Sequence, residues 1–388
     1  MTFLTTLNET GVKYQILLAA FKYLSMRLVG SGYVQLKDAA ISREIIVKGG
    51  SIKAITPFYL DDHLQRILGA YTYGRDRVIS EDLNRKYFEF RPVSIYRLKN
   101  AFLLDGSVYS AGCRYTVRST NDKKKIGFSM PGPARHFDSA VLASTCAGST
   151  WWGHWVADEL PMQMLGQNYG QLVAFNRPLY RDEPIYRENL NLQPLITAGV
   201  AHFSELVVID EFAQNPDKTK RYNRIRSILR KWPKGKTRVF LSRGDTGMRR
   251  LLVNETEIKE RLIKLGFEIV DISIQSADQV IAACRGAELV IGVEGSHMAP
   301  LLYLIEDYGT MVILYPPDLV HTANADIGVF CTLSTAMFIC EPYSSGLPGE
   351  FFADPEELCR FIDVAAEYGY RNRPRLHRFV DEVLSMGG

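Results

Sequence analysis

The chain has no C-x-x-C pair, and none of its six cysteines (Cys113, Cys146, Cys284, Cys331, Cys340, Cys359) sits beside a histidine at zinc spacing. That excludes a zinc ribbon or finger, and the scattered cysteines read as buried, reduced thiols of a cytosolic protein. The seven histidines are dispersed as well, so no metal cluster is legible. The N-terminus reads as lacking a secretory signal, and its longest apolar run, Ile16 to Phe21, falls far short of the ~20 residues that span a bilayer. Charge of one sign is missing too: a net charge of +3 lacks the strong basic excess typical of nucleic-acid binders. No internal repeat or low-complexity tract is present.

What remains is an ordinary globular composition, 46% hydrophobic and 23% charged, spread over 388 residues. At a loose ~150 residues per domain, that length suggests two domains. The segment Val12 to Val29, "VKYQILLAAFKYLSMRLV", has the pattern of a basic amphipathic helix. It either packs on its own domain or lies at a membrane surface. Residues 30–130 mix short apolar runs with turn signals and read as partly β structure.

From residue 138 the pattern becomes regular. "SAVLAS", "QLVAF" and "ELVVI" read as strands, with "EPIYRENLNLQPLI" as a helix between the last two, which implies a parallel α/β sheet. Ser149 or Thr150 is the expected N-cap of a helix that Pro161 ends or kinks. Lys218 to Arg238 holds ten basic residues and no acid. It predicts a helix, stopped by Pro233, that serves as a solvated link between domains or attracts an anionic substrate or membrane. A second α/β series follows. "RVFLS", "FEIVDI", "ELVIGV" and "MVILY" are strands. Helices between them are started by capping-box patterns at Asn254/Glu257 and Ser276/Gln279 and stopped at Gly266 and Gly286.

Three stretches lie where ligands bind in open α/β sheets, beyond the carboxyl ends of strands or close to them. "SRGDTGMRR", Ser242 to Arg250, offers guanidinium forks suited to phosphate oxygens, or is a surface loop with solvated arginines. In "GVEGSHMAP", Gly292 to Pro300, the glycines permit close backbone approach and Pro300 predicts a helix start near Gly295, Ser296 and His297. It matches neither G-x-G-x-x-G nor a Walker loop nor a G-x-S-x-G elbow. "STWWGHWVADELP", Ser149 to Pro161, places three of the four tryptophans around His154, with Asp158 one helical turn on. His154 and Asp158 share a helix face, as a structural pair or as a proton-handling one.

Taken in order, H-x-x-x-D-x-L-P (His154, Asp158, Leu160, Pro161), then Ser242, Arg243, Arg249, Asn254 and Glu255, then Gln279 and the G-x-x-G-[AS] loop (Gly292, Gly295, Ser296) resemble glycosyltransferase family 61, linked to capsular polysaccharide synthesis. The resemblance covers roughly residues 140–320. It departs at Glu294, where many members have histidine, and at His297, where they have a small residue. It implies a GT-B fold, two Rossmann-like domains facing each other across a cleft, behind an N-terminal mixed α/β extension. The expected boundaries are an extension over 1–95, an acceptor-side domain over 96–232, a nucleotide-sugar domain over 233–345 and a helical segment over 346–388.

The implied chemistry is inverting transfer from a nucleotide sugar, UDP-linked by expectation, to a glycan or lipid-linked glycan hydroxyl. It needs no separate cofactor, and no Asp-x-Asp occurs to hold a metal. Asp158 is the expected base, with His154 close behind. The expected donor-binding set is Ser242, Arg243, Arg249, Glu255, Glu294, Gly295, Ser296 and His297. No nucleic acid is expected. The expected place is the cytoplasm, with peripheral contact at the inner membrane face through the basic segments. The competing reading is a non-catalytic nucleotide-sugar-binding or assembly protein of the same fold. A hydrolase built on Ser296 and His297 is disfavoured, because adjacent residues on one loop rarely reach triad geometry.

Overall fold

A computed structural model describes residues 33–70, 74–104, 106–118, 135–244, 247–343 and 349–387. The amphipathic segment Val12 to Val29 lies outside them. Among the described residues no helix is long and apolar enough to cross a membrane. The chain divides into two compact units that interleave in sequence. The first comprises Met1–Gly49, Arg91–Arg181 and Asn191–Ala213; the second comprises Gly50–Phe90, Asp182–Leu190 and Gln214–Gly388. Residues 50–90 thus pack with the second unit. Phe58 pairs by main-chain bonds along Ser334–Ile339, and Gly50–Lys53 forms a hairpin with Tyr87–Phe90. Such long-range pairing leaves no mark on a linear sequence.

The first unit is built on one eight-stranded sheet. Its strands are β1 (Ser42–Val47), β2 (Val93–Leu104), β3 (Ser107–Ser110), β4 (Cys113–Thr116), β5 (Arg135–Leu142), β6 (Leu172–Phe175), β7 (Ile196–Ala198) and β8 (Val200–Asp210). The order is β4-β3-β2-β8-β5-β6-β7, with β1 on β2. Strands β8, β5, β6 and β7 are mutually parallel, whereas β2 runs antiparallel to β8 and to β3. The parallel arrangement expected from residue 138 onward is thus found, within a larger sheet made mixed by the strands before it. The parallel part has the 3-2-1-4 order of a Rossmann half, with its switch point between β5 and β8.

Alternate residues of β8 serve both faces of this sheet: Phe203, Leu206 and Val208 join Leu98, Leu103 and Val108 on one, and Val207 and Ile209 join Val141 and Leu172 on the other. Helix α1 (Leu160–Gly166) covers the second face with Met162 and Leu165.

The helix through the tryptophan-rich stretch departs from expectation in two ways. Its N-cap is Trp151, which makes no side-chain cap bond, while Thr150 Oγ1 donates to the Cys146 carbonyl at 2.7 Å. Pro161 does not end it. A wide π turn over Trp155–Glu159 precedes α1, and the Leu160 N–H bonds back to the Trp155 carbonyl. Pro161 follows directly on this π turn, whose widened bonding accommodates the proline ring and its missing N–H.

In the second unit a five-stranded sheet is parallel throughout: β9 (Arg238–Ser242), β10 (Glu268–Asp271), β11 (Leu289–Val293), β12 (Thr310–Tyr315) and β13 (Ser334–Ile339), in the order β10-β9-β11-β12-β13. This is the 2-1-3-4-5 doubly wound order, with its switch point between β9 and β11. The helices here are α2 (Glu183–Asn189), α3 (Pro216–Leu229), α4 (Glu255–Lys264), α5 (Ala277–Cys284), α6 (Leu301–Leu304), α7 (Ala323–Phe330) and α8 (Pro355–Ser385). Helix α8 packs Leu358, Phe361, Ile362 and Ala365 against Ile291, Leu314 and Phe338 of the sheet.

Local signals fare unevenly. Ser276 and Gln279 form the expected reciprocal capping box, and Gly266 and Gly286 have the positive φ of helix stops. Asn254 instead turns its amide to both main-chain groups of Ala353. The helix expected from Glu183 to Ile196 ends at Asn189, and Ile196 belongs to β7. Most plainly, α3 is no solvated linker. Lys218 and Arg226 are buried with Tyr222, Ile225 and Leu229. Arg226 donates to the carbonyls of Leu302 and Ile305 and pairs with Asp307 at 2.8 Å. Arg226 thus ties α3 to α6 and to the turn after it, so this part of the basic run is internal anchoring.

Candidate active-site residues

In the first unit the chain after β5 wraps into the turn Thr145–Thr150 and enters the tryptophan-rich helix. His154 Nδ1 lies 2.7 Å from Asp158 Oδ2. The helix-face pairing expected from the i, i+4 spacing is thus realised, even across the π turn. The Asp158 side chain is 4% exposed and that of His154 is 28% exposed. The His154 ring contacts Trp151, and also Phe212, two residues past the end of β8. The pair therefore stands at the switch point of its sheet. With the carboxylate accepting, Nδ1 carries the proton and Nε2 is left with a lone pair.

The tryptophans have separate roles. Trp155 is fully buried and stacks on half-buried Trp152 at 5.1 Å, whereas Trp151 is 38% exposed beside the histidine. Glu159, passed over in the sequence reading, is a buried anchor. Its carboxylate accepts from Thr145 N at 2.8 Å and from Gln163 Nε2, and Arg177 lies 3.6 Å away. It ties the turn after β5 to the helix that carries His154. Its position beside Asp158 was visible in the sequence, but which carboxylate faces inward was not.

In the second unit the loops after β9 and β11, neighbours in the sheet, bring four side chains to Gly295. Arg243 is buried and donates from Nη1 to the Glu294 carbonyl at 3.3 Å and from Nη2 to the Met248 carbonyl at 2.7 Å. Arg250 Nε lies 2.9 Å from Glu294 Oε2. A Cβ on Gly295 would stand 3.0 Å from His297 Nδ1, 3.1 Å from Arg243 Nη1 and 3.2 Å from Arg250 Nη1, at a φ of +154° that side-chain-bearing residues rarely adopt. Glycine is required here because the backbone passes among cationic groups with no room for more. Asn324, at the start of α7, donates to the Gly295 carbonyl at 3.1 Å and fixes the turn.

Burial lowers the Arg243 guanidinium to about 10, with Arg250 adding to the effect and Glu294 and Glu255 opposing it, so it stays charged at neutral pH. Burial raises Glu294 to about 7 against the pull of both arginines. Burial, reinforced by the two arginines, holds His297 well below the usual histidine range, so its ring is neutral.

The other expected donor residues lie apart from this convergence or beside it. Ser242 Oγ donates to Glu255 Oε1 at 2.6 Å, and Glu255 also pairs with Lys259. Arg249 is over half exposed and pairs with Glu350. Arg250, and not Arg249, lies beside Gly295; one residue of register along an irregular loop is not readable from spacing. Half-buried Ser296 opens a short 3₁₀ turn, Ser296–Met298, and α6 beyond it has only four residues. The expected full helix start is thus reduced to a single turn, and the arginines supply the positive charge. No metal cluster was expected, yet Asp62, His63 and Glu357 come together. Arg66 bonds both Glu357 oxygens, at 2.9 and 2.7 Å, so the group reads as an ion network fastening residues 61–66 to α8.

Arginines thus gather at one switch point, and a His–Asp pair stands at another. The family model described as Glycosyltransferase 61 matches residues 152–313, a segment that holds both clusters. The match bears out the resemblance read from the ordered motifs and, with it, the coarse assignment: a glycosyltransferase. No curated protein matches the chain.

Proposed function

We propose that the chain is an inverting, metal-independent glycosyltransferase of GT-B type. It moves a sugar from a UDP-linked donor to a hydroxyl of a glycan or lipid-linked glycan, in bacterial surface polysaccharide synthesis on the cytoplasmic side of the membrane. The observation that carries this reading is the convergence of Arg243 and Arg250 on Gly295 at the switch point of the second sheet. Two guanidinium groups held close to a glycine backbone suit the oxygens of a diphosphate.

In this reaction the acceptor oxygen attacks the anomeric carbon and gives its proton to His154 Nε2. The bond from that carbon to the phosphate oxygen breaks, and the diphosphate leaves with the electron pair. Arg243 and Arg250 neutralise the charge it gains, the role a divalent cation plays elsewhere. In this reading the base is His154 and not Asp158, which the difference in burial supports. Asp158 is the buried member and holds the ring in the tautomer whose Nε2 accepts a proton, as in other His–carboxylate pairs. Exposed Trp151 offers an aromatic face for a sugar ring beside the base.

A thermal-shift screen of nucleoside diphosphates and nucleotide sugars, followed by turnover assays in excess EDTA, tests the proposal. A ligand that binds only the folded state raises the melting temperature. Stabilisation by one nucleotide class and turnover that survives EDTA are expected. Binding without turnover of any acceptor would favour a non-catalytic nucleotide-sugar-binding protein. Activity that EDTA abolishes and Mg²⁺ restores would overturn the metal-independent mechanism.

A further inference from the structure

The donor cluster contains an anion of its own. Glu294 is 3% exposed, and its carboxylate lies against Arg250, one of the two groups assigned to phosphate. Around it, two buried polar atoms make no hydrogen bond with any described residue: His297 Nε2 and the Tyr315 hydroxyl. Buried polar atoms without partners are rare in folded proteins, and each calls for an explanation such as a ligand, water or ion that completes it. Two beside a buried ion pair mark a place suited to a polar occupant. A phosphate that bonds Arg250 must compete with a carboxylate already 2.9 Å from it.

We propose that Glu294 is a proton-coupled specificity residue of the donor site: it holds Arg250 until a diphosphate arrives, then takes up one proton and yields the arginine to the phosphate. This rests on the donor-site reading above. The charge balance is simple. The Arg250–Glu294 ion pair breaks, Arg250 and Arg243 bond phosphate oxygens, and a proton from solvent neutralises the carboxylate. Two anions sharing the same cations raise the carboxylate's proton affinity, and burial has already lifted Glu294 to about 7. The surrounding groups set the direction. Arg243 and Arg250 favour the ionised form. Tyr315, at the end of β12, is held neutral by burial and by the charges of Glu294, Asp326 and Asp82. Asp326, on α7, is raised by burial to about 6 and pairs with Arg85, which also holds Asp82. His297 is neutral.

Calorimetric titration of the full chain with UDP at pH 8, in two buffers of different ionisation enthalpy, counts the protons taken up. The expected count approaches one per UDP. Between pH 7.5 and 9, where the UDP terminal phosphate is already ionised, the Kd should rise by up to about tenfold per pH unit. Glu294→Gln should take up no proton and show a flat Kd over the same range. UDP binding to the wild type without proton uptake overturns the proposal and leaves the donor site standing. Uptake that persists undiminished in Glu294→Gln also overturns it and points to Asp326. If no nucleoside diphosphate binds the folded protein, the donor-site reading falls and this inference falls with it. Should Glu294→Gln fail to fold, the wild-type proton count decides.

Discussion

His154 and Asp158 are joined at 2.7 Å, with the aspartate buried and the histidine open. In the proposed reaction this asymmetry assigns the open ring to the acceptor and the buried carboxylate to orienting it. His154→Ala should lower turnover by roughly 10²–10⁴-fold, the range for loss of a general base. Asp158→Asn should also lower it, by leaving the ring free to take the other tautomer. Both variants should keep wild-type nucleotide affinity. Full activity of His154→Ala beside an inactive Asp158→Asn would return the base to the aspartate.

The two neighbouring arginines of the first donor loop should separate cleanly. Arg243→Ala and Arg250→Ala each remove a guanidinium next to Gly295 and should weaken nucleotide binding roughly 10- to 100-fold, the loss of one charge-assisted bond. Arg249→Ala breaks a half-exposed pair with Glu350 and should change affinity little. Equal losses at Arg249 and Arg243 would contradict the placement of the site.

Gly295→Ala tests the close approach. The added methyl meets three nitrogen atoms between 3.0 and 3.2 Å away, so the cluster must open or the backbone must shift. Nucleotide affinity should fall at least tenfold with the melting temperature lowered by a few degrees, a shift of about 1 kcal/mol. Unchanged affinity would show that phosphate binds elsewhere.

The anchoring of α3 predicts acid sensitivity. Burial raises Asp307, but the Arg230 hydrogen bond and the Arg226 charge outweigh it and bring the carboxyl down to about 2. A lowered folded-state value contributes stability that is fully present above the ordinary carboxylate range and is lost as pH falls through it toward about 2. Asp307→Asn should therefore be less stable than wild type at pH 7, and the gap should shrink in urea melts at pH 2–3. Arg226→Met leaves the Leu302 and Ile305 carbonyls without their donor, while Asp307 keeps Arg230, and should cost about 1–3 kcal/mol for each carbonyl left unsatisfied.

Much of the second unit was legible in the sequence. Its strands are short apolar runs closed by glycine stops, and its capping box at Ser276 and Gln279 acts within four residues. Such signals depend only on neighbours along the chain, as does the His154–Asp158 pairing, which needs one helical turn. The ordered motifs carried the family for the same reason. Tertiary structure decided everything that depends on distant partners. Arg226 and Lys218 look like solvated charges until α3 is packed, and Asn254 looks like a cap until Ala353 arrives beside it. Residues 50–90 join the second unit through strand pairing that no local pattern encodes. Arg250, not Arg249, reaches Gly295 because an irregular loop has no fixed period to aim its side chains. Asp158 is the buried partner and His154 the open one because burial, which the sequence does not state, differs between two residues on one helix face.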